Sequence, residues 1–285
     1  MKVEHTIAAV RAALKQARQK GQSIAFVPTM GNLHSGHIQL INEARRRADY
    51  VVASIFVNPT QFGAGEDFDN YPRTLDADSA QLADAKCDLL FAPSATEMYP
   101  DGRSQLTTVS VAGITETLCG ASRHGHFTGV ATVVTKLFNI IQPDMALFGE
   151  KDYQQLAVIR CMAKELCIPI EIIGIPTVRA EDGLALSSRN GYLSAEARTK
   201  APMLYNTLCQ VRDALLAGQD DVDMLIQAAS THLNKCGFEV DYLVAYSDKL
   251  QPLQAEDDVV VTLVAAKLDG TRLIDNLSFQ RKAAK

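Results

Sequence analysis

Short, unbroken apolar runs alternate with helical patterns along the first 178 residues, and this alternation constrains the fold more than any other feature. The runs at 24–27, 51–57 and 145–148 lack the alternating polar residues of a half-exposed strand. Each run therefore predicts a strand buried on both faces, as the strands of parallel sheets are. Because helical patterns fill the segments between the runs, the sequence predicts a doubly wound parallel sheet with helices on both faces.

The bounds of the individual elements follow from the period of the apolar residues and from turn residues. Gly21 ends the first helix, and Asn58-Pro59 stops the second strand. Strands are predicted at 24–27, 50–57, 89–92, 107–111, 145–148 and 170–178, and helices at 7–17, 38–47, 74–86, 127–141 and 152–166.

The pattern changes near residue 180, where two helices are followed by three strands. The helices are predicted at about 195–217 and 222–236, and the strands at 238–246, 258–266 and 273–279. Asp269-Gly270 separates the last two strands and is a strong signal for a tight hairpin turn. We therefore expect a larger sheet domain over 1–178 and a smaller α+β domain with an antiparallel hairpin over 179–285.

Composition excludes several classes of protein. The chain has 28 Lys and Arg against 33 Asp and Glu, a formal net charge of −5, which disfavours nucleic acid as a partner. No run of 18 apolar residues is present, so no membrane span is predicted. The six cysteines form no C-x-x-C pair, which predicts reduced thiols in a cytoplasmic protein.

The most specific chemical signal lies in the segment Pro28-Thr29-Met30-Gly31-Asn32-Leu33-His34-Ser35-Gly36-His37. It follows a buried strand and opens a helix, where open α/β sheets bind ligands and a helix N-terminus attracts phosphate. Gly31 and Gly36 allow the backbone to approach a ligand closely. His34 and His37 share a helix face and can donate hydrogen bonds to charge that develops during phosphoryl or nucleotidyl transfer. Two surface histidines at a helix start are the alternative interpretation.

Two further segments carry cations. The first is Gly149-Glu150-Lys151-Asp152-Tyr153-Gln154-Gln155, which also follows a strand. Lys151 can hold phosphate as a point charge, and Gln155 lies on the same helix face as Lys151. The second is Leu186-Ser187-Ser188-Arg189, whose two hydroxyls and guanidinium suit phosphate binding. The loop that carries these residues could act as a lid. Taken alone, the first segment is also typical of a solvated helix start, and the second of a polar linker.

The segment Ile55-Phe56-Val57-Asn58-Pro59-Thr60-Gln61-Phe62 places neutral amides at the end of a strand. Asn58 and Gln61 can orient hydroxyl and carboxylate groups without adding charge. The alternative is ordinary turn chemistry at Asn58-Pro59.

In this order and spacing, the four segments resemble the pantoate–β-alanine ligase family over residues 23–279. The H-x-G-H pattern alone indicates only the wider nucleotidylyltransferase superfamily, whereas Phe56-Val57-Asn58-Pro59 and Gly149-Glu150-Lys151-Asp152 narrow the resemblance to the ligases. The resemblance implies a Rossmann-like domain over 1–178 that binds ATP and pantoate. It also implies a lid domain over 179–285 and a homodimer formed through the N-terminal domain.

The resemblance implies a reaction in two steps. ATP, with Mg²⁺ on its phosphates, and (R)-pantoate give pantoyl adenylate and pyrophosphate; β-alanine then attacks the acyl carbon to give pantothenate and AMP. His37, His34, Lys151 and Arg189 would offset the charge of the first step. No residue of this chain is expected to be a resident metal ligand.

The site residues that the resemblance implies form two sets. The pantoate and β-alanine contacts are Gln61, Gln155, Asn58, Tyr71, Arg123 and His126. The ATP contacts are Met30, Gly31, Asn32, Leu33, His34, Ser35, Gly36, His37, Gly149, Glu150, Lys151, Asp152, Val178, Leu186, Ser187, Ser188 and Arg189, with His37 in the proton-donor position.

The chain departs from the family pattern at two positions. Cys119 stands where the family commonly has Glu, and His124 stands where it commonly has Pro. The missing carboxylate could have paired with Arg123, so we expect a changed substrate affinity rather than lost activity. His124 is expected to be a surface loop residue.

Two other functions are consistent with parts of the sequence. Another nucleotidylyltransferase would attach a nucleotide to a phosphate-bearing substrate and need no amine, which the segment 55–62 argues against. A non-catalytic nucleotide-binding protein would not need His34, His37, Lys151 and Arg189 together.

Overall fold

Six parallel strands form the larger sheet of the protein, described here by a computed structural model over residues 1–63, 65–102, 106–254 and 256–281. The order of the strands is β1-β4-β3-β2-β5-β6. The chain moves outward from β2 to β4 and then returns to β5 beside β2, so the sheet has a topological switch point between β2 and β5. The strands are β1 (Lys2–Glu4), β2 (Ile24–Thr29), β3 (Tyr50–Ile55), β4 (Leu89–Phe91), β5 (Met145–Gly149) and β6 (Glu171–Ile175).

Helices cover both faces of this sheet, which confirms the predicted fold class. On β2, Ala25 and Val27 pack in one apolar cluster with Ile41 of α2. Phe26, which points the other way, meets the ring of Phe138 of α6 at 6.5 Å between centroids. The helices are α1 (Ile7–Gln19), α2 (Ser35–Arg47), α3 (Leu75–Asp84), α4 (Ala95–Met98), α5 (Cys119–Ser122), α6 (His126–Ile141) and α7 (Tyr153–Glu165).

The chain divides into two compact units. The first holds Met1–Glu150 and Gln155–Pro176, and the second holds Lys151–Gln154 and the chain from Thr177 onward. Residues 151–154 therefore group with the second unit although they follow β5 directly in the sequence.

The second unit contains an antiparallel sheet of three strands in the order β7-β8-β9. Asp269 and Gly270 have φ of +51° and +74° and connect Leu268 to its partner Thr271, which is the geometry of a two-residue hairpin turn. The predicted hairpin is confirmed. The elements are α8 (Ala195–Lys200), α9 (Met203–Leu216), α10 (Val222–Lys235), β7 (Glu239–Ser247), β8 (Val259–Leu268) and β9 (Thr271–Gln280).

The secondary structure differs from the sequence-based expectations in several places, and the short helices α4 and α5 were not predicted. The predicted strand at 107–111 is irregular, because the amide of Val109 donates to Thr132 Oγ1 of α6 at 2.9 Å rather than to a neighbouring strand. The single helix predicted at 195–217 is two helices, since Pro202 has no N–H to donate and interrupts the helical ladder. The short strand β1 was not predicted; Lys2–Glu4 pairs with β4 at the edge of the sheet.

Among the described residues, no helix is both long enough and apolar enough to cross a membrane.

Candidate active site

The carboxyl ends of adjacent strands gather the predicted residues of the first unit. β2 lies between β3 and β5, and Thr29 at the end of β2 pairs with Ile55 at the end of β3. The segments that leave these two strands therefore start side by side at one edge of the sheet. Gly149 ends β5, the other neighbour of β2.

His34 and His37 lie against each other at the start of α2. Their ring centroids are 4.1 Å apart. His34 is the N-cap residue: its Nδ1 accepts from the amide of Gly36 at 3.2 Å, and His37 Nδ1 accepts from the amide of His34 at 3.3 Å. Because both Nδ1 atoms are acceptors, the proton of each neutral ring is on Nε2. The capping interaction thus turns the pair into two Nε2–H donors at a helix N-terminus.

The turn before His34 has an unusual backbone conformation. Gly31 has φ of +85° and Asn32 has φ of +51°, and such values are unfavourable for a residue with a side chain. The carboxylate of Asp78 in α3 accepts from the amides of Asn32 at 2.9 Å and Leu33 at 2.8 Å. Asp78 is 1% exposed. Its role could not be found from the sequence, where it is an ordinary acid in a helix.

Asn58 and Gln61 lie in the turn that follows β3, as the sequence predicted. Asn58 is 1% exposed, and its Nδ2 donates to Gln61 Oε1 at 3.2 Å. Its Oδ1 accepts from Tyr99 Oη at 2.8 Å. Gln61 Nε2 in turn reaches Met30 Sδ at 2.9 Å. The segment expected to contact pantoate and the segment expected to contact ATP therefore touch through these two side chains.

Gly129 in α6 allows this turn to pack directly against a helix. Asn58 Nδ2 donates to the carbonyl of Gly129 at 3.2 Å. A Cβ at Gly129 would lie 2.3 Å from the carbonyl oxygen of Thr60 and 2.7 Å from the Cα of Gln61. Only glycine fits here, and the sequence offered no sign of this, since a lone glycine in an apolar helix has no fixed meaning.

Arg123 and His126 extend the network behind Gln61. His126 Nδ1 lies 2.8 Å from the carbonyl oxygen of Gln61, and its Nε2 lies 2.9 Å from Arg123 Nη1. Arg123 can only donate, so His126 Nε2 is an acceptor and Nδ1–H donates to Gln61. Arg123 also holds Glu66 through two bonds of 2.7 Å. The structure thus places Arg123 and His126 beside Gln61, with Glu66 as a carboxylate partner that the sequence did not reveal.

Arg123 is paired in this chain with the carboxylate of Glu66, although position 119 is a cysteine. Burial raises the pKa of the Glu66 carboxyl, but the Arg123 guanidinium outweighs burial and lowers the pKa to about 2. Cys119 itself is buried at the start of α5. His124 is exposed, as expected of a loop residue.

Tyr71 and Gln155 are the remaining residues predicted to contact pantoate, and both belong to the first unit. Tyr71 is 5% exposed, and its ring centroid lies 6.0 Å from that of Phe62 in the segment that carries Gln61. Gln155 is half-buried in α7. Glu150, which follows β5, has its Oε1 over Gly174 of β6, 2.9 Å from where a Cβ would be.

In the second unit, the backbone of Lys151 is held in place by a side chain of β9. Asn276 Nδ2 of β9 donates to the carbonyl of Lys151 at 2.8 Å, and Tyr153 Oη donates to the carbonyl of Asp248 at 3.2 Å. The Lys151 ammonium lies 3.9 Å from the carboxylate of Asp152. Asn276 is 6% exposed, so a buried amide fixes the backbone of the predicted phosphate-binding lysine.

The predicted segment 186–189 is anchored to the same strand. Arg179 binds the carboxylate of Asp275 through bonds of 2.7 and 2.9 Å and stacks 3.7 Å from the ring centroid of Tyr205. The amide of Leu186 donates to the carbonyl of Val178 at 3.0 Å. Ser187 Oγ caps the 3₁₀ turn Ser188–Tyr192 by accepting from the amide of Arg189 at 3.3 Å.

The structure thus brings the predicted residues together in two groups, one in each unit. The first group consists of Met30, Gly31, Asn32, Leu33, His34, Ser35, Gly36, His37, Asn58, Gln61, Arg123 and His126, on the segments that leave β2 and β3, at the end of α5 and at the start of α6. The second group consists of Lys151, Asp152, Val178, Leu186, Ser187, Ser188 and Arg189, all in the second unit, where Lys151 is bonded to β9 and Leu186 to Val178.

Comparison with known proteins identifies a family that matches nearly the whole chain. The model of the pantoate-beta-alanine ligase family matches residues 2–278. The chain is 60% identical over 278 residues to pantothenate synthetase from Pseudomonas putida strain W619, covering 97% of each chain.

Two solved structures extend this similarity to the fold. The crystal structure of pantothenate synthetase from Thermus thermophilus has a TM-score of 0.90 at 49% identity, covering 97% of this chain and 99% of the other. Pantoate-beta-alanine ligase from Francisella tularensis, complexed with beta-gamma ATP and beta-alanine, has a TM-score of 0.83 at 36% identity, covering 100% and 99%.

Proposed function

Because the chain belongs to the pantoate–β-alanine ligase family, we propose that it joins (R)-pantoate to β-alanine with ATP through a pantoyl-adenylate intermediate. A carboxylate oxygen of pantoate attacks the α-phosphorus of ATP, and the bond to pyrophosphate breaks. The amine of β-alanine then attacks the acyl carbon, the bond to AMP breaks, and the amine loses a proton. The products are pantothenate, AMP and pyrophosphate.

The observation that carries this proposal is the 2.9 Å contact between Gln61 Nε2 and Met30 Sδ. It joins the segment that leads to His34 and His37 to the buried amides of Asn58 and Gln61. Side chains suited to phosphate therefore lie next to side chains suited to a hydroxy acid. A nucleotidylyltransferase that acts on a phosphate-bearing acceptor would need cations at that place, and the amides are neutral.

In the first step, like charges repel as the pantoate carboxylate approaches the triphosphate. We assign the Nε2–H groups of His34 and His37 to the oxygens on which charge develops, since preorganised donors stabilise such a transition state without rearrangement. Lys151 and Arg189 are assigned to phosphate oxygens as a point charge and a fork of donors.

In the second step, the protein mainly positions the amine. Asn58 and Gln61 are assigned to the carboxylate and hydroxyl groups of pantoate, and Tyr71 and Gln155 to the same pocket. Orientation of two reactants can supply a large part of the rate acceleration. Water would hydrolyse the mixed anhydride, so the buried amides suit a site from which water is excluded.

Mg²⁺ enters this proposal with the nucleotide. Among the described residues, no group of three or more His, Cys, Asp or Glu side chains could hold a metal ion. Mg²⁺ commonly stays on phosphate oxygens with several waters rather than in an all-protein cage. We therefore write the first substrate as MgATP.

The homodimer that the family resemblance implies and the cytoplasmic location that the sequence predicts stay predictions. Sedimentation equilibrium would test the first, with a mass twice the 31.0 kDa of the chain as the expected result.

A coupled assay of AMP release, with each substrate omitted in turn, tests the reaction. We expect AMP only when pantoate and β-alanine are both present, beyond a single turnover. Sustained ATP turnover without β-alanine would contradict the ligase and favour another nucleotidylyltransferase. ATP binding in a calorimeter without any turnover would favour a binding protein.

The His37→Ala variant tests the assignment of the histidine pair. We expect the rate of adenylate formation to fall by about 10²-fold or more, the usual contribution of a proton donor or oxyanion donor. His124→Ala is the matched control, because His124 is an exposed histidine on a loop of the same unit. Wild-type turnover in the folded His37→Ala variant would remove this residue from the mechanism.

A further inference from the structure

Asp78 is a buried carboxylate outside every segment assigned so far. It lies in the first turn of α3 and is 1% exposed, whereas its neighbour Asp76 is exposed. A buried charge is costly unless hydrogen bonds compensate it. Here three donors do so: the amides of Asn32 and Leu33, and Thr74 Oγ1 at 3.1 Å.

The two amides are consecutive, and each binds a different oxygen of the carboxylate. Leu33 donates to Oδ1, and Asn32 donates to Oδ2. Successive backbone N–H groups that converge in this way form a nest for an anion. The carboxylate of Asp78 is the anion that this nest holds. The left-handed conformations of Gly31 and Asn32 are what turn the two amides toward it.

The turn fixed by Asp78 ends at His34. A backbone held in a sparsely populated conformation persists only where its surroundings determine it. The carboxylate packs closely on this turn, since a Cβ at Gly31 would lie 3.1 Å from both Asp78 Oδ2 and Ile55 Cγ2. The direction in which the chain enters α2, and therefore the positions of both histidine rings, depends on the carboxylate.

We propose that Asp78 is a positioning residue of the ligase, which holds the Gly31–Leu33 turn so that His34 and His37 present their Nε2–H groups to the nucleotide. The inference rests on the proposed function and deepens it. Asp78 acts through the backbone and does not contact substrate. Thr74 contributes because its hydroxyl donates to the same carboxylate from the end of the segment that carries Tyr71.

The Asp78→Asn variant tests the proposal, because it keeps the shape of the side chain and removes the charge. An amide has one acceptor oxygen, so its NH₂ group must face one of the two backbone amides, and two donors repel. We expect a loss of about 100-fold in ATP–pyrophosphate exchange, which reports adenylate formation alone, since a displacement of about 1 Å has such an effect. Asp76→Asn, on the same helical turn, should keep the wild-type rate.

Two further measurements separate positioning from a loss of folding. Thr74→Val removes one of the three bonds, and we expect about a tenfold loss of exchange, whereas Thr74→Ser keeps the hydroxyl and should restore the rate. The Cε1–H resonances of His34 and His37 should shift in Asp78→Asn, and those of His124 and His232 should not.

The proposal is overturned if folded Asp78→Asn exchanges at the wild-type rate, or if the resonances of His34 and His37 do not move. It is also overturned if Thr74→Val and Thr74→Ser behave alike. The resonances are read without turnover, so a failure of the proposed reaction in the wild-type protein would be seen separately in the substrate-omission assay.

Discussion

Gly129→Ala places a methyl group of α6 against the backbone of the turn that carries Asn58 and Gln61. The new Cβ would lie 2.3 Å from the carbonyl oxygen of Thr60, 2.6 Å from its carbonyl carbon and 2.7 Å from the Cα of Gln61. All three atoms are backbone, so no side-chain rotation relieves the contact. Either the turn or α6 must move.

The size of the movement follows from the distances. An ordinary contact between these atoms is close to 3.4 Å, so the turn must retreat by about 1 Å, and a misplacement of that size can cost about 10²-fold in rate. The effect on stability is smaller. Overpacking costs about 1–3 kcal/mol, but alanine in a helix is more stable than glycine by about 1 kcal/mol. The net loss is therefore about 0–2 kcal/mol.

The assay is steady-state AMP release with pantoate as the varied substrate, together with urea unfolding. We expect kcat/KM for pantoate to fall by about 100-fold while the protein remains folded. Gly191→Ala is the control, since a Cβ at Gly191 meets nothing within 4 Å. A Gly129→Ala protein that keeps the wild-type kcat/KM would refute the argument that this contact sets the positions of Asn58 and Gln61.

Two other variants test the contacts that hold the two groups of candidate site residues in place, one contact in each unit. The pKa of Glu66 is lowered from 4.5 to about 2 by Arg123, despite burial, so the pair stabilises the protein fully above pH 4.5, and this contribution is lost as the pH falls from 4.5 toward 2. Contact with water reduces the free energy that this shift implies, so urea unfolding should show about 1–2 kcal/mol between wild type and Glu66→Gln at pH 7. Asn276→Ala, which removes the bond to the carbonyl of Lys151, should raise KM for ATP about fivefold, whereas Gln280→Ala on the same strand should not.

Each of these two expectations has a clear contrary result. A stability difference for Glu66→Gln that stays constant from pH 6 to pH 3 would show that the ion pair is not its cause. An unchanged KM for ATP in Asn276→Ala would show that Lys151 is held by other contacts.

The sequence by itself determined the features whose causes are local. Unbroken apolar runs predicted β2, β3 and β5, because strands covered on both faces have no polar side to reveal. Asp269-Gly270 predicted the hairpin, because its residues adopt positive φ readily. The pattern of His34 and His37 at the start of a helix was equally readable, since capping depends on neighbours a few residues away.

Local patterns failed where a distant partner decided the outcome. The segment 107–111 has the composition of a strand, yet its amide bonds to Thr132, 23 residues later. Cys119 left the pairing of Arg123 open at the level of the sequence, and Glu66, 57 residues away, supplies a carboxylate.

Only the tertiary structure decided how the site is held in place. Asp78 binds amides 45 and 46 residues earlier, and Asn276 binds a carbonyl 125 residues earlier. Gly129 is required by a turn that lies close to it only because α6 packs there. Nothing in the neighbouring sequence of these residues distinguishes them, because the forces that make them necessary, burial of charge and contact between backbones, exist only after the chain has folded. The side chains of the candidate site could therefore be named from the sequence, whereas the contacts that hold them in position could not.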